Sequence, residues 1–153
     1  MKWINILALG LFGALALGGA ATGQEPSRYG KVRVVYHLNT AGGEGDKAYL
    51  QALRNVRYHL EAVGPGNADI KVVMHADGLQ MLAHAKQNLT LQGQIADLKS
   101  AHKVQFVVCK NTLDQRRIDP DKDLYDVDKE DIVPSGVAEL SLLQTKGYTY
   151  IKP

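Results

Sequence analysis

Val104-Gln105-Phe106-Val107-Val108-Cys109-Lys110-Asn111-Thr112 is the stretch on which the fold turns. Its first part, Val104 to Val108, reads as a buried β-strand, because a short run of β-branched and aromatic residues suits a strand covered on both faces. The polar residues that follow end it, and Thr112 with Gln115 three positions later has the spacing of a capping box that would open a helix. Cys109 is the chain's one cysteine, and it stands at this strand-to-helix junction. In open α/β sheets ligands bind beyond the carboxyl ends of the strands, and a nearby helix start favours thiolate over thiol. Cys109 is therefore a candidate reactive group.

Working outward, Lys31 to Leu38 is β-branched and bounded by Gly30 and Asn39, which reads as a first strand. After the turn Gly42-Gly43-Glu44-Gly45, residues Tyr49, Leu53, Val56, Leu60 and Val63 recur at helical spacing, with Asp46 a plausible N-cap and Gly64-Pro65-Gly66 a stop. Asp69 to His75 gives a second strand, followed by helical patterns through Leu79, Leu82 and Ala83 and through Leu91, Ile95 and Leu98. A short helix from Thr112 ends before Pro120, since proline is disfavoured inside one. Asp131 to Val133 is a brief fourth strand; Ser135 caps a helix through Val137, Leu140 and Leu143, Gly147 closes it, and Tyr148 to Ile151 is the last strand. Strands alternating with helices predict a single three-layer α/β domain, with a mostly parallel sheet and helices on both faces.

At 153 residues and 45% hydrophobic content the chain suits one globular domain. Residues 1–23 differ from the rest. Lys2 supplies a positive start, Trp3 to Leu17 is almost continuously apolar, and Gly18 to Gly23 is small, the pattern of a secretory signal. The apolar run is shorter than the roughly 20 residues of a spanning helix. Cleavage after Ala21 or Gly23 would leave a domain over 24–153, exported or periplasmic, soluble and without a membrane anchor. An exported chain with one cysteine has no internal disulfide, so its thiol is buried, paired with another chain, or reactive. Without Lys2 the charge is +1, from 17 basic and 16 acidic residues, and the basic side chains are scattered, which argues against a nucleic-acid partner.

Several segments together resemble the DsrE family, the sulfur-relay-type α/β domain: Val34 to Asn39, Ala52 to Leu60, Val108 to Leu113, Ile118-Asp119-Pro120, Val133 to Leu140 and the closing Gly147 to Pro153. The resemblance implies a five-stranded sheet, homo-oligomers (trimer or hexamer) and, in the sulfur-transferring members, a cysteine that carries sulfur as a persulfide. Only Cys109 carries over in that role. The expected function is carriage of sulfane sulfur on Cys109 between a donor and an acceptor, each a protein or small sulfur compound. The activity is sulfur transfer at most, with no cofactor. The alternative is a non-catalytic homo-oligomeric module that binds a small ligand or metal in the strand-end crevice. A third reading is a structural partner with an inert cysteine.

The candidate supporting residues are His37, His75, Lys110, Asn111 and Thr112. Lys110, with Arg116 or Arg117, would lower the thiol pKa. His37 and His75 fall near the carboxyl ends of their strands and so approach the same crevice as Cys109. Their types suit a soft metal, but no close-spaced ligand pair accompanies them, and the reading adopted is hydrogen-bonded histidines with no metal. His59, His84 and His102 read as surface residues. The glycine turn after the first strand lacks both the third glycine of a dinucleotide fingerprint and the Lys-Ser/Thr of a P-loop. Asp119, Asp121, Asp123 and Glu130 fall at ligand positions of a calcium loop, but Leu124 stands where the sharp turn demands glycine, so 119–131 reads as a solvated acidic loop. Asn88-Leu89-Thr90 is a glycosylation sequon by letter. Ser135 lies in no Gly-x-Ser-x-Gly elbow, and hydrolase chemistry is unsupported.

Overall fold

The structure, a computed structural model, describes residues 28–64 and 66–153, so the expected leader over 1–23 lies outside the described residues. The strands are β1 (Val32–Leu38), β2 (Ala68–Met74), β3 (Gln105–Cys109), β4 (Ile132–Val133) and β5 (Thr149–Ile151). The helices are α1 (Lys47–Val63), α2 (Gln80–Ala85), α3 (Leu89–Ser100), α4 (Lys110–Arg116), α5 (Pro120–Asp123) and α6 (Gly136–Thr145). The sheet runs β4-β3-β2-β1-β5, and every pairing is parallel. The domain is a three-layer α/β fold, and the mostly parallel sheet of the sequence reading is wholly parallel.

Strand side chains alternate between two layers. Val34, Tyr36 and Leu38 of β1, Ile70, Val72 and Met74 of β2, and Phe106 and Val108 of β3 share one core with Leu53, Val56, Leu82, Leu91, Ile95 and Leu98 of α1 to α3. Val35, Val73 and Val107 face the other way and pack on Leu140 and Leu143 of α6 and on Tyr148. Each such Val or Leu, fully removed from water, contributes roughly 1.5–3 kcal/mol. Leu113 of α4 and Leu124 belong to the first core, whereas α6 belongs to the second. The chain therefore leaves β3 toward one face and its neighbour β4 toward the other. That divergence is the topological switch point at which open parallel sheets form a crevice. Cys109 is the last residue of β3, at this switch point.

One expected cap is overturned, and a second holds its position without a cap hydrogen bond. Thr112 does not open a helix: α4 begins at Lys110 with Cys109 in the N-cap position, so Thr112 is inside the first turn and buried. The helix starts earlier because Cys109 still keeps its extended strand conformation (φ −79°, ψ 113°), leaving no loop between strand and helix. Asp46 occupies the N-cap position of α1 but makes no cap hydrogen bond, because its backbone is left-handed (φ 59°). Ser135 behaves as expected, accepting from the Ala138 N–H at 3.3 Å. Pro120, expected only to stop the preceding helix, also starts α5, with Asp119 accepting from the N–H groups of Asp121 and Lys122.

Candidate functional site

Register places the site. Met74 pairs with Val108, so the next residues, His75 and Cys109, leave β2 and β3 at the same level and toward the same face. Gly136, the first residue of α6, fills the space between them. A β-carbon built on it would lie 3.2 Å from the Cys109 Cβ and 3.3 Å from the His75 Cβ, closer than side chains pack without shifting. With a larger residue there, Cys109 or His75 would have to give by a few tenths of an ångström.

The sulfur is surrounded by donors. Burial pushes the Cys109 thiol up, but hydrogen bonds from the Gly136 N–H, the Thr112 hydroxyl and the N–H groups of Thr112 and Asn111 outweigh it, and the thiol ionises below its ordinary value. Three chain segments hold these donors in place. The Ala76 N–H, just beyond β2, donates to Thr112 Oγ1 at 3.0 Å, which leaves the hydroxyl proton for the sulfur. The Asn111 N–H also reaches the Pro134 carbonyl at 3.3 Å, tying the start of α4 to the segment that leads into α6. Ala76 adopts φ 48°, a left-handed conformation that costs a residue with a β-carbon of order 1 kcal/mol.

The cations expected near the thiol are engaged elsewhere. Lys110 Nζ donates to both carboxylate oxygens of Asp114 at 2.7 Å, and Arg116 pairs with Asp77 at 2.8 Å. Arg117 takes the left-handed C-cap position of α4. Neutral hydrogen-bond donors, not the cations, favour the thiolate.

His37 and His75 come together as expected. Their Nε2 atoms are 2.8 Å apart, the rings stack with centroids 4.8 Å apart, and His37 Nδ1 meets the Tyr150 hydroxyl at 2.7 Å. Burial, then the charge of His75 and of Lys152, lowers the His37 pKa to about 4; burial and Lys152 lower that of His75 as well. Both rings are therefore neutral at physiological pH and share one hydrogen bond. No group of three or more His, Cys, Asp or Glu among the described residues is arranged to hold a metal ion. A recess of about 40 Å³ beside the pair has His37, Tyr49 and Lys152 among its walls. A larger one, about 570 Å³ between Leu60 and Lys103, opens at the opposite end of the strands.

Other motifs resolve as structure. His84, read as a surface residue, meets Asp46 Oδ1 at 2.6 Å, and Asn88 Nδ2 donates to Asp46 Oδ2 at 2.9 Å. The Asn88 carbonyl oxygen caps α3 through the N–H groups of Thr90 and Leu91, so both ends of the sequon amide are occupied. His59 meets the Tyr36 hydroxyl at 3.0 Å. In the acidic loop, Asp126, Asp128 and Asp131 gather around Lys99 Nζ at 3.0, 3.8 and 3.6 Å. Sequence reasoning did not find Gly136, Ala76, Tyr150 or Lys152. Strand register would have indicated Tyr150, since Val35↔Tyr150 sets it on the same face as His37, two residues further along β1.

A wholly parallel sheet with a lone thiol among donors at its switch point defines an α/β domain with a strand-end cysteine site. The chain belongs to the DsrE/DsrF-like family, whose profile matches residues 33–153. Among solved structures it is similar to a protein of unknown function from Methanobacterium thermoautotrophicum, with 29% identity and a TM-score of 0.64 over 80% of this chain and 100% of that one. No curated protein matches the chain.

Proposed function

We propose that this chain is an exported sulfur carrier whose Cys109 takes up sulfane sulfur as a persulfide and passes it to an acceptor thiol. The observation that carries this reading is the position of Cys109 at the carboxyl end of β3 and the N-cap of α4, against Gly136, where Gly136, Thr112 and Asn111 hold its thiol below the ordinary pKa. The same donors favour the attacking thiolate and a persulfide anion, because each bond strengthens toward negative charge. Family membership supports a sulfur-relay type of function. Homo-oligomeric assembly belongs to the proposal: Val137 and Leu142 on α6 and Tyr150 on the edge strand β5 offer exposed apolar surface.

The test is intact-protein mass spectrometry after incubation with tetrasulfide, with Cys109→Ser as control. The reading expects one added sulfur, removed by a reducing thiol and missing from C109S. A mass that does not change, or an adduct that survives in C109S, contradicts it. The rival reading, a binding module, draws on the recess between His37 and Lys152 and expects ligand binding that C109S leaves intact.

A further inference from the structure

We infer that the sulfur donor for Cys109 is a low-mass inorganic polysulfide and not a persulfide borne on another protein. This rests on the persulfide reading above and concerns what can reach the sulfur. Cys109 is 4% exposed in the chain by itself, and assembly with further copies would only cover it more. Gly136 closes one side closely: a methyl group there would lie 3.2 Å from the Cys109 Cβ and 3.3 Å from the His75 Cβ, tighter than ordinary contact. The buried Thr112 closes another. The three segments around the sulfur are tied to one another by Ala76 N–H to Thr112 Oγ1 at 3.0 Å and Asn111 N–H to the Pro134 carbonyl at 3.3 Å.

A persulfide on a folded protein projects little beyond its own backbone, so delivery from it requires these ties to open. A polysulfide is one sulfur atom wide and presents sulfane sulfur at its tip. Its negative charge suits the N–H and O–H groups of Gly136, Thr112 and Asn111 beside Cys109. With disulfane the step balances as follows. The Cys109 thiolate attacks one sulfur, the Sγ–S bond forms, the S–S bond breaks, and its electron pair departs on hydrosulfide, leaving Cys109 as the persulfide. The Cys109 sulfur is oxidised and the departing sulfur reduced, with no outside oxidant.

The test compares initial rates of persulfide formation on the folded wild-type protein with tetrasulfide and with albumin persulfide, at equal sulfane sulfur. Tetrasulfide is expected to load Cys109 at least about a hundredfold faster, since access to a near-attack geometry is what the enclosure withholds. Equal rates, or faster loading from albumin, overturn the small-donor inference and leave the carrier reading standing. Loading from neither donor overturns both. Repeating the comparison in urea serves as control, because unfolding removes the enclosure and the two rates are expected to converge; a preference that persists there overturns the enclosure as its cause.

Discussion

Ala76 donates its backbone N–H to Thr112 Oγ1 across 3.0 Å, joining the end of β2 to the first turn of α4 directly above Cys109. The bond leaves the Thr112 hydroxyl proton free to donate, and Thr112 is among the groups that lower the Cys109 thiol pKa. Thr112→Val removes both interactions. The Cys109 thiol pKa is expected to rise by about one unit, the scale of a hydrogen bond to a charged group. Thr112→Ser is expected to restore it. Ultraviolet titration of the thiolate checks both variants, and a T112V titration that matches the wild type would contradict the assignment.

Gly136→Ala places a methyl group 3.2 Å from the Cys109 Cβ and 3.3 Å from the His75 Cβ. Both neighbours lie at the ends of buried strands, so relief requires α6 to move. The expected cost is about 1–3 kcal/mol, measured by urea unfolding, with persulfide formation slowed beyond what the lost stability explains. Unchanged stability together with an unchanged loading rate would show that α6 is free to shift.

The His37–His75 pair makes stability depend on pH with a definite sign. His37 ionises near pH 4 in the folded protein, and the ordinary value is 6.5. His75 is lowered as well. Between those values the unfolded chain binds protons that the folded chain does not, so stability rises with pH through this window. Urea midpoints are expected to be steady above about pH 7 and to fall toward about pH 4. His37→Gln is expected to make the fall shallower; a slope that does not change would remove the pair as its source.

Asp46 joins the turn after β1 to His84 at 2.6 Å and to Asn88 at 2.9 Å, from a left-handed backbone with φ 59°. Asp46→Ala loses both bonds and keeps a conformation that alanine tolerates poorly, an expected loss of about 1–3 kcal/mol in thermal or urea unfolding. Asp46→Asn keeps an acceptor and a residue tolerant of that conformation, so it is expected to lose less. Equal losses would show that the carboxylate itself, and not tolerance of the left-handed backbone, is what position 46 requires.

Much of the fold was legible because each strand's apolar run has a single reading. Val34, Val72 and Val107 can be buried on a covered sheet, and Gly64 and Gly147 end their helices in conformations glycine favours, with φ of 86° and 85°. That His37 meets His75, and that His75 lies level with Cys109, follows from a parallel sheet, in which strand ends share one edge. What the sequence hid depends on tertiary geometry. Thr112 has the spacing of a capping box, yet β3 runs into α4 without a loop, and its hydroxyl faces Ala76 and Cys109. Lys110 is next to Cys109 in sequence, yet on a helix it meets Asp114 one turn on. Gly136 looks like an ordinary helix start until the crowding around it is seen.

Discharge of the loaded protein shows whether Cys109 passes sulfur on. Folded protein exposed to polysulfide and freed of donor is mixed with an acceptor thiol, and the Cys109 peptide and the acceptor are followed by tandem mass spectrometry. One added sulfur is expected on Cys109, leaving it and appearing on the acceptor in matching amount, with C109S carrying none. A Cys109 thiol that stays unmodified in the folded protein under excess polysulfide, and alkylates only in denaturant, would contradict the carrier reading.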